Sequence, residues 1–368
     1  MMLTAVTVSL ALWFLLLIMP WRSWLNGEVL ETEVSKPVSG ASDVAVTVLI
    51  PARNESDYIL DTLSALSQQS LPARLVVIDD HSTDETATLV AQHYPEVQLI
   101  NCQIRPDGWS GKLWALHNGL GQVNTSLVLL LDADISLEKE ALRQLVALQQ
   151  SRSLGLVSVM ARLRNLSFWE KLLIPAFVFF FKQIYPFRLS NSLWPQVAAA
   201  AGGCMLAETS ALRLSGGFEA IKGEIIDDCS LARQLKSAGY RTWIGMSHEV
   251  QSRRVYDSLE SIWHMVERTA FTQLGCSWVW LLLCSTLMIL CFWVPLAGLF
   301  FSEARLMSFL GLSFMTIAYL PTLYFYRQSP VWGLFLPVIG TLYLAMTWSS
   351  AIKSWVGKGA EWKGRHYP

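Results

Sequence analysis

Apolar and polar positions along the chain divide it into an apolar start, a long polar middle and an apolar end. Val6 to Met19 is almost wholly apolar and is bounded by Pro20, Trp21 and Arg22. With Met2 to Thr4 the stretch approaches the ~20 residues that cross the hydrocarbon core of a bilayer. No positive residue precedes it and no small-x-small cleavage site follows, so residues 1–22 read as a retained membrane anchor rather than a signal peptide. Near the other end, residues 278–301, 306–325 and 331–351 form three long apolar runs separated by short polar breaks. Their lengths predict three membrane helices within 276–352, followed by a basic tail at 353–368.

The polar middle, 45–275, has a different rhythm. Short apolar runs at 46–50, 75–78, 97–100, 127–131 and 156–160 predict five strands. They show no alternation, which suits strands covered on both faces, as in parallel sheets. Helical patterns lie between them: Ile59, Leu63 and Leu66 share one face, as do Leu113, Leu116 and Leu120. Ser82 with Glu85 has the spacing of a capping box at the start of another helix. Strand and helix in alternation predict an α/β fold, whose ligands gather at the carboxyl ends of the strands. One segment breaks the pattern. Residues 168–187, FWEKLLIPAFVFFFKQIYPF, are rich in aromatics yet hold Glu170, Lys171, Lys182 and Pro175. The segment reads either as a buried core helix or as an interfacial helix lying on a membrane.

Composition agrees with a membrane protein: 52% of residues are hydrophobic, 15% are charged, and there are 16 Trp and 16 Phe. That excess is hard to bury in a soluble domain, and Trp favours the bilayer interface. Charge is balanced, 28 basic against 29 acidic residues, with no basic patch, so no nucleic-acid partner is expected. The six cysteines form no Cys-x-x-Cys pair and read as small buried hydrophobes in a reducing compartment or a membrane. Arg22 and the tail residues Lys353, Lys358, Lys363 and Arg365 both point the middle region to the cytosol. These readings conflict, because three full crossings after a cytosolic domain leave the tail outside. Either one run is a re-entrant or interfacial hairpin, or the tail breaks the charge rule.

The chemistry-bearing residues cluster at predicted strand ends. Pro51, Ala52, Arg53, Asn54 and Glu55 follow the first strand, and Asp79 and Asp80 follow the second. Side by side in a parallel sheet, these ends can hold a ribose and the edge of a base. Asp132-Ala133-Asp134 follows the apolar run LVLLL. Carboxylates at i and i+2 point to the same face of a strand, and this pair stands where the apolar run ends. There both can approach one hard cation that shares its oxygen ligands with substrate phosphates. Lys112, in Trp109-Ser110-Gly111-Lys112, is placed to offset charge on a leaving diphosphate or simply to stay solvated. Gly202 and Gly203 allow close approach of backbone. Asp227 and Asp228 sit between Ile226 and Leu231, where two adjacent acids are costly unless they bond or act.

Together these motifs resemble the family 2 inverting glycosyltransferases with their nucleotide-diphospho-sugar (GT-A) fold. In particular the chain looks like the membrane-bound hopene-associated glycosyltransferases, relatives of the ceramide and carotenoid glucosyltransferases. The carrying residues are PARNES at 51–56, DDHSTDET at 79–86, GWSGKLWA at 108–115 and DAD at 132–134. PAFVFFF at 175–181, AGGC at 201–204, IDDC at 226–229 and ERTAF at 267–271 extend the match. By resemblance, residues 51–55 with Asp79 and Asp80 cradle a uridine, and Asp132 and Asp134 serve the nucleotide and a divalent metal, Mg2+ or Mn2+. Asp228 is then the catalytic base, with Asp227 beside it. One departure matters: many relatives carry Gln-x-x-Arg-Trp where this chain reads Met265-Val266-Glu267-Arg268-Thr269. Arg268 is left to keep the cationic role. Chain-growing synthases use that motif to hold a polymer end, so single-sugar transfer is expected.

The resemblance therefore implies an inner-membrane, multi-pass enzyme with a cytosolic catalytic domain. It moves one sugar from a nucleotide-sugar, a UDP-sugar, to a lipid acceptor such as a hopanoid, with ceramide, diacylglycerol or a carotenoid as alternatives. A sugar nucleotidyltransferase would need a Gly-rich phosphate loop after the first strand, and residues 51–55 contain no glycine. A non-enzymatic lipid carrier would have no use for acids at three strand ends.

Overall fold

Uniformly apolar strand runs imply a sheet with a core on each face, and the computed structural model shows one. It describes residues 1–33, 44–194 and 196–357, and the backbone of 360–362 and 365–367. Lys358 and Lys363 of the basic tail lie outside the described residues. The chain divides into a sheet unit, Glu28–Arg164 with Leu189–Arg254, and a helical unit, Met1–Gly27 with Asn165–Arg188 and Val255–Pro368.

In the sheet unit the strands are β1 (Val46–Ala52), β2 (Arg74–Asp79), β3 (Gln98–Asn101), β4 (Leu127–Leu131), β5 (Ile135–Leu137), β6 (Leu156–Arg162), β7 (Cys204–Glu208) and β8 (Thr242–Ser252). Their order across the sheet is β3-β2-β1-β4-β7-β6-β8-β5. Neighbours from β3 to β4 are parallel, with Leu49 opposite Val76 and Leu130. Beyond β4 the expectation of a parallel sheet gives way. β7 runs antiparallel to both β4 and β6, β6 and β8 are parallel, and β5 returns antiparallel along β8. Alternate side chains feed two cores: Val48, Ile50, Val77, Leu129 and Leu131 on one face, and Leu49, Val76, Ile78, Val128 and Leu130 on the other. This two-sided burial erases the polar alternation that marks a half-exposed strand.

The helices Ile59–Ser67 and Gly111–Leu120 form where the periodicity places them, and Ile59, Leu63, Leu66, Leu113, Leu116 and Leu120 are all buried. Ser110 caps the second, accepting from the Leu113 N–H at 3.2 Å. The expected capping box of Ser82 and Glu85 does not form. Helix Thr86–His93 starts instead with Asp84 accepting the Thr86 N–H at 3.0 Å. Ser82 is drawn away because its hydroxyl accepts the Asn54 N–H from the loop after β1.

Among its described residues the helical unit contains three helices long and apolar enough to cross a membrane, Trp278–Gly298, Arg305–Phe325 and Pro330–Trp355, and the shorter apolar helix Met2–Ile18. The aromatic segment forms the helix Phe168–Ile184, begun by a capping box of Ser167 and Glu170. Its side chains pack within this unit: Phe179 lies 5.3 Å from Tyr319 and Phe180 5.0 Å from Tyr343, ring centre to ring centre. Lys182 is buried and donates to the Leu25 carbonyl, the Asn26 side chain and the Thr322 hydroxyl. A π-helical turn at Ile289–Trp293 disturbs the regular ladder, and the Trp13 indole donates to the Cys291 carbonyl at 2.9 Å. In lipid such a carbonyl has no water to turn to.

At Gly245 of β8, the chain near Glu28 comes too close for a side chain. A Cβ there would lie 2.1 Å from the Trp243 ring and 2.7 Å from the Glu28 carbonyl oxygen. That same oxygen accepts the Met246 N–H at 2.8 Å. Gly245→Ala is expected to destabilise the sheet unit by about 1–3 kcal/mol through overpacking. Thermal unfolding of the detergent-solubilised protein checks this, and an unchanged midpoint would contradict the close approach.

Candidate active site

The acids expected at strand ends gather at one edge of the sheet because β1, β2 and β4 are parallel neighbours and end together. Asp132 follows β4, and its N–H donates to the Gly203 carbonyl just before β7 at 3.0 Å. The site therefore straddles the junction where the sheet changes from parallel to antiparallel, the kind of switch point at which α/β sheets bind ligands.

Lys112 lies in the first turn of helix Gly111–Leu120. Its ammonium pairs with Asp132 Oδ1 at 2.6 Å and donates to the Gly202 carbonyl at 3.3 Å. The Gly202 N–H in turn donates to Asp228 Oδ2 at 2.9 Å. A Cβ on Gly202 would lie 3.3 Å from both the Asp228 carboxylate and the Lys112 ammonium. The glycine thus lets its backbone bridge the two side chains. Asp228 opens helix Asp227–Ser237, with its second oxygen accepting the Cys229 N–H at 2.7 Å, while Asp227 Oδ1 accepts the Asp228 N–H at 3.1 Å. Lys112, Asp132 and Asp228 are thus brought together, with Asp227 alongside.

Charges in this group reinforce each other. Burial, and then the neighbouring Asp227 charge, push the Asp228 carboxyl up to about 6, against the pull of its backbone hydrogen bonds and Lys112. Burial also raises Asp132, with Asp134 adding to it and Lys112 opposing. For Lys112 burial works against the charge, but Asp132, Asp227 and Asp228 outweigh it and hold the ammonium protonated. Beside them, burial pushes the Cys204 thiol up to about 12, leaving it an inert packing group.

The nucleoside-side residues form a second group. Asn54 and His81 both adopt left-handed backbone, with φ of 52° and 55°. The loops that carry them are joined: the Asn54 side chain accepts the Thr83 N–H at 2.8 Å, and Arg53 donates to the Asp80 and His81 carbonyls at 2.6 and 3.1 Å. Pro51 and Ala52 remain in β1, opposite Ile78 and Asp79. Asp79 Oδ2 accepts the Ser82 N–H, while its buried Oδ1 has no hydrogen-bond partner among the described residues.

Two residues turn elsewhere. The Glu55 carboxylate is buried and faces Arg254, whose Nη2 donates to its two oxygens at 2.8 and 2.9 Å. Arg268 belongs to the helical unit, exposed at the end of helix Leu259–Glu267. Its neighbour Glu267 is buried and bonded to Lys353 and Ser349.

Asp132 and Asp134 stand at the turn between β4 and β5 but engage different partners. Asp134 Oδ2 accepts the Ser252 hydroxyl at 2.7 Å, and Oδ1 faces Arg254 at 3.3 Å. Among the described residues no three His, Cys, Asp or Glu side chains form a metal cage. The donor set fits a hard cation of another kind, bound by one or two carboxylates and completed by substrate phosphates. Asp132 keeps a third of its side chain exposed, and the Arg254 contact to Asp134 is long. Ser252 and Arg254 escaped sequence reasoning. No local pattern marks them, because their partners lie more than a hundred residues upstream.

With this geometry in view, the comparisons are specific. The sequence profile of Glycosyltransferase like family 2 matches residues 43–271. The 4,4'-diaponeurosporenoate glycosyltransferase of Staphylococcus haemolyticus is 33% identical over 128 residues, 34% of each chain. That of Staphylococcus aureus is 37% identical over 118 residues, 31% of each. The matched stretch spans about a third of the length of these curated relatives. A mannosyltransferase from Pyrobaculum calidifontis, solved in complex with GDP-Man and Mn2+, shares the fold at 18% identity. Its TM-score is 0.55, over 97% of this chain and 100% of that one.

The raised Asp228 carboxyl has a consequence for stability. Its folded value of about 6 lies above the usual carboxylate value, so the folded protein takes up a proton that the unfolded chain releases. The stabilisation is therefore full below about pH 4 and lost as pH rises through 6. Asp228→Asn mimics the neutral form and is expected to be about 1–2 kcal/mol more stable than the parent at pH 8, allowing for solvent screening of the half-buried group. The gain should vanish near pH 4. Denaturant unfolding at both values checks this, and a destabilised variant at pH 8 would overturn it.

Proposed function

Because the chain belongs to the Glycosyltransferase like family 2, we propose that it transfers a single sugar from a UDP-sugar to a lipid acceptor with inversion at the anomeric carbon. The observation that carries this reading is the convergence of Lys112, Asp132 and Asp228 on Gly202 at the switch point of the sheet. Asp228 removes the proton of the acceptor hydroxyl as its oxygen attacks the anomeric carbon from the face opposite the diphosphate. A carboxyl raised to about 6 is mostly ionised at neutral pH and yet basic enough for the task. Lys112 stabilises the departing diphosphate. Asp132 and Asp134 would hold a divalent cation, Mg2+ or Mn2+, whose chemistry there would be to neutralise diphosphate charge. The unsatisfied Asp79 oxygen supports a nucleoside cradle built from residues 51–55, Asp79 and Asp80, since a base N–H would give it a donor. Arg268 is the residue to which the motif resemblance assigns the cationic role.

Four apolar helices on the same chain favour an acceptor that arrives from the bilayer. A lipid already confined near the base lowers the cost of bringing two substrates together. A hopanoid alcohol is the acceptor favoured by the motif resemblance. The second reading is a carotenoid-type acceptor, favoured by the name that the Staphylococcus relatives share. The enzyme is a multi-pass protein of the inner membrane whose sheet unit faces the cytosol.

Purified full-length protein, offered a panel of UDP-sugars with hopanoid, carotenoid and water-soluble acceptors, should release UDP only when a lipid is supplied. Asp228→Asn should keep donor affinity and lose roughly 10²–10⁴-fold in turnover. In the parent, turnover should fall as pH drops through about 6, where Asp228 takes up its proton. If Asp227→Asn is inactive and Asp228→Asn active, the base is the neighbour. Preference for the soluble acceptor over every lipid would end the lipid assignment. A single cysteine engineered near Glu138 should resist impermeant labelling from outside intact cells, and efficient labelling would reverse the topology.

A further inference from the structure

Arg254, the last residue of the sheet unit, serves two acids on different loops. Its Nη2 lies 2.8 and 2.9 Å from the two oxygens of Glu55, in the loop after β1, and 3.3 Å from Asp134 Oδ1 at the β4–β5 turn. Its guanidinium carbon sits 5.1 Å from the Tyr58 ring centre, a stacking arrangement that fixes the plane of the group. The Arg253 N–H and the Ser252 hydroxyl hold Asp134 from behind, at its carbonyl and at Oδ2. Asp134 is therefore rigid, and its remaining oxygen, Oδ1, is the one that Arg254 touches at the longer distance.

We propose that Arg254 is a positioning residue that occupies the place of the cation at Asp134 and yields Asp134 Oδ1 to an incoming divalent cation while remaining paired with Glu55. This rests on the reading of Asp132 and Asp134 as the cation-binding acids. The chemistry follows from the geometry. Two carboxylates share one guanidinium, so a cation that takes the weaker contact leaves Arg254 fully neutralised by Glu55, with no buried charge stranded. Arg254 and the cation compete for Asp134, and Glu55 sets the terms by drawing Arg254 away. The loop of residues 51–55 is thereby coupled to occupancy at Asp134, and such a coupling is reciprocal.

The competition makes opposite predictions for the two partners. Mn2+ alone, and Mn2+ with UDP, are titrated into the detergent-solubilised full chain, and free Mn2+ is read by electron paramagnetic resonance. Arg254→Gln removes the competitor and should bind Mn2+ roughly 5-fold more tightly or better. Glu55→Gln leaves Arg254 to Asp134 alone and should bind it several-fold more weakly. Arg254→Lys keeps the charge and should stay near the parent. A purely structural role for the arginine lowers affinity in both glutamine variants, and that result, or no change in either, overturns the proposal. If Arg254→Gln does not fold, Arg254→Lys decides it, because weakened Mn2+ binding in this charge-keeping variant would overturn the proposal. Asp134→Asn separates the two levels. Mn2+ binding in the parent that is lost in Asp134→Asn, without opposed shifts in the other variants, sinks this inference alone. No Mn2+ binding by the parent with or without UDP sinks the cation-site reading and this inference together.

Discussion

Crowding of carboxylates at one edge of a sheet is the constraint on which the rest of this structure turns. Glu55, Asp79, Asp80, Asp132, Asp134, Asp227 and Asp228 all lie at or beside strand ends or the start of one helix, where so many acids need partners. Three devices hold the charges in place. Lys112 compensates Asp132, Arg254 compensates Glu55 and Asp134, and backbone N–H groups from Gly202 and Cys229 serve Asp228. Each device also ties separate elements together, so charge compensation and the positioning of helix Gly111–Leu120 against β4 and β7 are one requirement. Asp228 relies on backbone hydrogen bonds, and burial together with the Asp227 charge pushes its carboxyl up to about 6. A site arranged this way spends stability to keep a basic oxygen available.

What could be read from the chain follows how local each feature is. β1, β2, β4 and β6 were legible because burial on both faces leaves continuous apolar runs, and the half-buried edge strand β3 was legible from its short apolar run alone. β5 is too short to signal, and β8 hides because Ser247, His248 and Glu249 interrupt its apolar pattern. Ser247 is buried, and Glu31 accepts from its hydroxyl and from the backbone N–H groups of His248 and Glu249. The Asp-x-Asp turn, Lys112 and the Asp227-Asp228 pair were legible as chemistry, since acids beside apolar strands need a reason. Arg254 was not, because its partners stand 199 and 120 residues upstream and nothing local distinguishes it from a solvated arginine. Ser82 misled for the same reason. Its spacing from Glu85 is that of a cap, but a loop 28 residues away claims its hydroxyl.

The helical unit shows what composition cannot say about apolar sequence. The aromatic run at 168–187 allowed a core or an interfacial helix; in the structure Leu172, Leu173, Val178 and Phe179 are buried within the helical unit, while Phe168 and Ile184 are exposed. Its buried Glu170 accepts the N–H groups of Leu166, Ser167 and Tyr256. Lys182, at the other end, reaches Leu25, Asn26 and Thr322. The acids and bases inside this segment are therefore tethers between distant stretches of chain, which is how ionisable groups survive among apolar helices.

The way each unit is threaded also sets a timetable for biosynthesis. Trp13 on the first helix donates to the carbonyl of Cys291, and Asn26 donates to that of Pro321. Neither acceptor exists until the whole sheet unit has left the ribosome. At translation rates of roughly 5–20 residues per second, the first helix waits on the order of ten seconds or more for its partners. During that interval its indole and amide donors must be met by lipid headgroups, water or other insertion machinery. The sheet unit faces a milder version, since β4 must remain incomplete along one edge until β7 emerges beyond the intervening helix. Residues 1–27 thus behave less as a leader to the fold than as its final strut, synthesised first and seated last.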